Sequence, residues 1–255
     1  MSSAYSTIRV EVQDRIATLT LNRPESRNAL NSAMCGDLIA AAEALAADES
    51  VHVVLIKGEG PVFCAGADLK ERQGMSTAEL TARRVKGFTA YAAIERLPQA
   101  VIAVVHGPAF GSGCEIAGAC DFILASTKAQ FRYPEVSWGT IGATQRLPRM
   151  VGTRMAKELL FTGRTIDAQE AKEIGLVNHV YQPEELEERA AAMAQQIAAA
   201  APLTVRLTKR CVDQGVETTR EGAMAVELLA IEENLRHSDW KRAIAGFGSG
   251  GRKDG

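Results

Sequence analysis

Residues 101–126 read VIAVVHGPAFGSGCEIAGACDFILAS, and the way its pieces connect decides the fold. VIAVV is a short continuous apolar run, the mark of a strand covered on both faces, and DFILAS repeats that pattern. Between them Gly111-Ser112-Gly113 predicts a tight strand-to-helix turn, because residues without bulk let the backbone turn and approach its neighbours closely. One carboxylate, Glu115, lies just beyond, among glycine, alanine, cysteine and isoleucine. A charge buried there without a partner is costly, so either it faces water or a chemical task retains it.

Upstream, TIRVEVQDRIATLTL at 7–21 alternates apolar and polar residues about the Asp14-Arg15 pair, which predicts a half-buried hairpin. Asn31 is placed to cap a helix through SAMCGDLIAAAEALAAD, with Met34, Leu38, Ile39, Ala42 and Leu45 on one face. VHVVLIKG at 51–58 is another covered strand, and Ser76 with Glu79 forms the pattern of a capping box opening a helix. Downstream the balance shifts to helices: 153–163, 167–175 closed by Gly175, 183–201 with Pro183 in its first turn, 202–215 and 218–235. Strands alternating with helices early and helices alone late predict an α/β body, 1–195, followed by a helical C-terminal region, 196–255.

A net charge of -2 over 255 residues gives no electrostatic reason to expect a nucleic-acid partner. The five cysteines, Cys35, Cys64, Cys114, Cys120 and Cys211, are odd in number and lack paired C-x-x-C spacing, so no metal site is expected and a reducing, cytoplasmic setting fits. The N-terminus shows no basic start before an apolar core and no run reaches membrane-span length, so neither secretion nor a membrane is expected.

Several chemistries are excluded on residue type. Gly58-Glu59-Gly60-Pro61-Val62-Phe63 lacks the last glycine of a dinucleotide fingerprint, and no Walker lysine is present. Ser112 is flanked by Phe110 and Cys114 where a nucleophile elbow needs glycines. His106, beside a glycine, reads as a structural hydrogen-bond partner; His52, His179 and His237 read as surface or packing residues. Two small-residue turns remain, CAGAD at 64–68 and GSGCE at 111–115. They could form an oxyanion hole from backbone N–H groups or simply allow tight helix-strand packing. A second carboxylate, Glu135, in AQFRYPEVSWGTIGATQRL at 129–147, favours the first. Proton transfer beside a carbonyl needs carboxyl groups to move protons and donors to hold the developing enolate, each donor contributing roughly 3 kcal/mol. An exposed or salt-bridged role for either glutamate stays open at this point.

NRPESRNALN at 22–31, the block from Gly58 to Glu71, the 101–126 segment, AQFRYPEV at 129–136 and GRTIDAQEAKEIGLVNHV at 163–180 follow one another in an order that resembles the enoyl-CoA hydratase/isomerase, or crotonase, family. The resemblance implies a spiral of ββα repeats with a helical C-terminal trimerisation region, assembled as a homotrimer or a dimer of trimers. It implies reversible hydration of a 2-trans-enoyl-CoA to a 3-hydroxyacyl-CoA, with no cofactor beyond the coenzyme A of the substrate. The N–H groups of Ala67 and Ser112 match the oxyanion hole, and Glu115 and Glu135 match the two catalytic glutamates, Glu115 activating water and Glu135 delivering the proton to C2. Coenzyme A contacts fall on Arg27, Ala29, Ala65, Asp68, Leu69 and Lys70, with Phe247, Arg252 or Lys253 as further candidates. A double-bond isomerase, another acyl-CoA lyase of the same family, or a non-catalytic scaffold binding CoA, RNA or protein are the alternatives. Three departures stand out: serine at 112 where the hydratases usually have glycine, a shortened segment after Glu135 without its proline, and the absence of the common C-terminal F-x-E-K-R-x-P-x-F ending.

Overall fold

The structure is a computed structural model describing residues 5–237 and Trp240. It divides into two compact units, Met1–Ala198 and Ala199–Gly255.

In the first unit, β1 (Ile8–Gln13) and β2 (Ile16–Leu21) form the expected hairpin. Its two-residue turn is Asp14-Arg15, both at positive φ, the handedness that suits the twist of the flanking strands. The helix α1 (Ser32–Ala47) begins where Asn31 accepts from the Met34 N–H, and it buries Met34, Leu38, Ala42 and Leu45, with Ile39 only partly covered. After β3 (Val53–Gly58), α2 (Thr77–Glu95) opens on a complete capping box between Ser76 and Glu79. Then come β4 (Ala100–Val105), β5 (Pro108–Phe110), α3 (Ser112–Gly118), β6 (Phe122–Ser126) and β7 (Gln130–Arg132). A short 3-10 turn, Glu135–Trp138, leads to α4 (Arg146–Val151), α5 (Thr153–Thr162), β8 (Thr165–Asp167), α6 (Ala168–Glu173), β9 (His179–Tyr181) and α7 (Pro183–Ala198).

Among the described residues the strands form a six-stranded sheet, β1-β2-β3-β4-β6-β9, and a three-stranded sheet, β5-β7-β8. Every pairing in the larger sheet after the hairpin is parallel. Both faces are covered, as the apolar runs require. Val54 and Ile56 of β3 and Val101, Ala103 and Val105 of β4 pack with α1 and α2 residues. Their neighbours Val53, Leu55, Ile102 and Val104 face the other way, against Leu186, Ala190, Ala194 and Ala198, which recur every fourth residue along α7. Each fully buried aliphatic side chain of this kind contributes roughly 1.5–3 kcal/mol.

The smaller sheet positions the chemistry. It pairs β5 with β7 in parallel, Phe110 opposite Arg132, so the segment before α3 lies beside the one leading to Glu135. Three-residue strands are too short to show a period of two, and this sheet is absent from the sequence expectations for that reason.

The second unit holds α8 (Pro202–Gly215) and α9 (Arg220–His237). Leu207 and Ala230 are buried, whereas Val212, Met224, Leu228, Leu229 and Leu235 are exposed. Its division from the first unit falls after Ala198, against an expected 195. Phe247, Arg252 and Lys253 lie outside the described residues. No helix of the described residues is long and apolar enough to cross a membrane.

Candidate active site

The two glycine- and alanine-rich turns meet. Leu30 pairs with Ala67, and Cys64 with Ala109, in isolated bridges that bring residues 64–67 against β5. Gly113 explains how α3 docks there: a Cβ at this position would stand 2.3 Å from the Cys64 carbonyl oxygen, a contact no side chain tolerates. Tight packing and donor access are therefore one arrangement. Gly66, at φ +106, turns the chain beside the start of α3, a Cβ built on it lying 4.0 Å from the Ser112 nitrogen. Neither the Ala67 nor the Ser112 N–H has a backbone acceptor among the described residues. Ser112 is the first residue of α3, so its N–H has no acceptor within the helix.

Both N–H bearing residues line a cavity of about 120 Å³, together with Glu115 and Glu135. Glu115 lies within the first turn of α3 and is 6% exposed. Its Oε2 accepts from Arg146 Nη1 at 2.9 Å, and Arg146 Nη2 reaches Glu95 at 2.6 Å. Burial raises the Glu115 pKa above the usual carboxylate value, and Arg146 is the main influence opposing that rise. Burial also works against the Arg146 cation, yet Glu95 and Glu115 more than offset it.

Glu135 reaches the cavity from a different segment, at the start of the 3-10 turn behind Pro134. A Cβ on Gly111 would come within 3.1 Å of its Oε1, and one on Gly142 within 2.9 Å of its Cγ. Glycines thus make the slot that admits this side chain. Its Oε2 is buried and accepts no hydrogen bond among the described residues. Burial raises its pKa too, Glu115 adds to the rise, and Arg84 and Arg72 oppose it. The arrangement places around the same space one carboxyl group held by a guanidinium and one with an oxygen that accepts no hydrogen bond among the described residues. Such a pair can divide the roles of base and acid.

The serine at 112 gains a neighbour. Burial pushes the Tyr91 phenol up, and its interaction with the Ser112 side chain is the main opposing influence. Arg146 lies 5.8 Å from the Tyr91 ring centroid, joining Tyr91 to the Glu115 side of the cavity.

Of the residues expected at a coenzyme A site, Ala65 and Leu69 line the cavity, whereas Arg27, Ala29, Asp68 and Lys70 do not. These four are tied to neighbouring segments: the Ala65 N–H donates to the Arg27 carbonyl, Arg23 joins the Ala29 carbonyl to the Asp68 carboxylate, and the Lys70 N–H donates to Asp68. His106 is the structural partner it was read as, its Nε2 lying 2.7 Å from the Gly60 carbonyl oxygen. Burial pushes the Cys64 thiol up to about 12 and raises Cys114 further, which removes both as thiolate nucleophiles. None of the five cysteines is joined in a disulfide among the described residues. No group of three or more His, Cys, Asp or Glu able to hold a metal occurs among the described residues. Arg146, Tyr91, Arg72 and Arg84 were not singled out from the sequence. Each acts across a long chain separation that no local pattern reports.

The sequence model described as Enoyl-CoA hydratase/isomerase matches residues 11–251. The chain is 40% identical over 248 residues to a crotonyl-CoA hydratase of Syntrophomonas wolfei, covering 96% of this chain and 95% of that protein. It is 39% identical over 242 residues to a short-chain-enoyl-CoA hydratase of Clostridium acetobutylicum, covering 93% of each. Among solved structures, an enoyl-CoA hydratase from Bacillus anthracis superposes with a TM-score of 0.93 at 36% identity, covering 96% of both chains.

Proposed function

Because the chain belongs to the enoyl-CoA hydratase/isomerase family and has its crotonase fold, we propose that its cavity hydrates the double bond of a 2-enoyl-CoA thioester to give the 3-hydroxyacyl-CoA. The observation that carries the reading is the pair of glutamates lining a cavity that also presents two backbone donors with no backbone acceptor among the described residues. The Ala67 and Ser112 N–H groups receive the thioester oxygen, which drains electron density from C3 and stabilises the enolate that forms. Glu115, held by Arg146, accepts a proton from water as the water oxygen bonds to C3. Glu135, whose burial favours its protonated form, donates a proton to C2. The cycle closes when the proton gained by Glu115 is exchanged, through water, for the one Glu135 lost.

Coenzyme A itself is the part of the substrate that lies toward Arg27, Ala29, Ala65, Asp68, Leu69 and Lys70, the basic members suiting its phosphates. The chain acts as a homotrimer or a dimer of trimers, a reading supported by the exposed Leu228, Leu229 and Leu235 of α9; a solution mass of one chain would refute it. Cysteines that form no disulfide among the described residues support a cytoplasmic setting.

Crotonyl-CoA tests the reaction through loss of its conjugated thioester absorbance. Glu115→Gln and Glu135→Gln should each lower kcat about 10²- to 10⁴-fold. Turnover of a 3-enoyl-CoA without hydration of crotonyl-CoA would instead identify an isomerase. Unchanged hydration in either variant would remove that glutamate from the mechanism.

A further inference from the structure

Three arginines, Arg72, Arg83 and Arg84, line the cavity beside the glutamates. Arg83 is accounted for: it is buried, donates to Glu71 at 3.1 Å and also binds the Leu30 carbonyl. Among the described residues Arg84 donates to neutral acceptors alone, the Thr140 hydroxyl and the Ile141 carbonyl. Arg72 makes no side-chain hydrogen bond or ion pair among the described residues, and its Nε is buried. Burial weakens the Arg72 cation, and Arg83 and Arg84 weaken it further. Guanidinium groups gathered in a half-buried space lose hydration and repel one another. An anion arriving with the substrate relieves both.

Glu135 does not already fill that need, since Arg72 and Arg84 act on it from a distance while its Oε2 accepts no hydrogen bond. The coenzyme A phosphates are poor candidates as well. The basic residues assigned to them, Arg27 and Lys70, stand outside the cavity, whereas Arg72 and Arg84 share it with the two glutamates. Leu69, Phe88 and Ile141 supply apolar walls, which suit methylene groups between the reacting carbons and a charged end. At roughly 10–15 Å³ per water on the same measure, the volume suits a short chain.

We propose that Arg72, with Arg84 beside it, receives a carboxylate at the far end of the acyl chain, so that the preferred substrate is a short 2-enoyl-CoA ending in a carboxylate. The proposal rests on the hydratase reading above and deepens it. Arginine suits the task because its planar fork meets a carboxylate through two parallel hydrogen bonds. Selectivity follows from the same geometry: a neutral chain leaves the guanidinium groups desolvated and unpaired.

The test compares kcat/KM for three thioesters: the crotonyl thioester with a carboxylate on its terminal carbon (glutaconyl-CoA), its homologue one carbon longer, and 5-methylhex-2-enoyl-CoA, in which an isopropyl group replaces the first carboxylate. The better acid should exceed the isopropyl compound by about tenfold or more, and Arg72→Gln should cut that ratio about 10- to 100-fold. Arg72→Lys should recover part of it. Equal or better hydration of the isopropyl compound overturns the proposal and leaves the hydratase reading intact. An equal loss on acid and isopropyl compounds in Arg72→Gln also overturns it, by assigning Arg72 to the thioester or coenzyme A end. Failure to hydrate all four thioesters, crotonyl-CoA included, would sink the hydratase reading itself.

Discussion

The two walls of the cavity carry the same residue type and treat it differently. On the α3 wall Glu115 is nearly inaccessible and bound to Arg146, which is itself tied to Glu95 and lies over Tyr91. On the wall formed by the 3-10 turn Glu135 stands between two glycines, and among the described residues its buried Oε2 is unbonded and its neighbouring cations Arg72 and Arg84 do not hydrogen-bond it. Burial raises both carboxyl groups, but only one has a counter-ion in contact to resist it. Two glutamates thus acquire different readiness to hold a proton from their surroundings alone.

The largest effect should come from removing what holds the first wall. Arg146→Leu strips Glu115 of the only hydrogen-bonded cation it has among the described residues and leaves a buried charge unpaired. Breaking a buried pair in this way costs about 3–5 kcal/mol, which thermal unfolding measures. Without Arg146 the Glu115 pKa rises further, so the acidic limb of kcat/KM should move to higher pH, and Arg146→Lys should bring it part of the way back. A limb that stays in place would show that Arg146 does not set the Glu115 charge, and the contrast between the walls would lose its basis.

The sequence disclosed the two walls unequally, for physical reasons. Strong local signals survived folding: the Asn31 cap, the Ser76-Glu79 box and the apolar runs of β3 and β4 depend on neighbours within a turn or on alternation along one strand. Glu115 stood out because a charge in an apolar run is conspicuous, and Glu135 because it follows Pro134 among aromatic residues. Their different surroundings were not legible. Arg146 meets Glu115 across 31 residues, Arg84 meets the Thr140 hydroxyl across 56, and nothing within either short segment marks the pairing. The sheet β5-β7-β8 escaped for a related reason, since three residues cannot display a strand period. The shortened segment after Glu135 nonetheless proves to supply Thr140, Gly142 and Arg146 to the site.

The smallest effect is the sharpest test of the second wall. Glu135 has its pKa raised by burial in the folded chain, so the native state binds its proton more tightly than the unfolded state does. Stability that depends on this proton is complete below the ordinary carboxylate value of 4.5 and is lost as pH rises through the raised folded-state value. Glutamine at this position carries no charge to bury at any pH. Glu135→Gln should therefore unfold at a higher temperature than the parent at pH 8, by a few °C, and the advantage should shrink toward zero as the pH falls below 4.5. Differential scanning calorimetry of the two chains across that range makes the comparison, because every other titrating group contributes to both. A variant no more stable than its parent at pH 8 would mean that Arg72 and Arg84 already neutralise Glu135 in the free protein. The second wall would then be as fully compensated as the first, and Arg72 would have less need of an anion from the substrate.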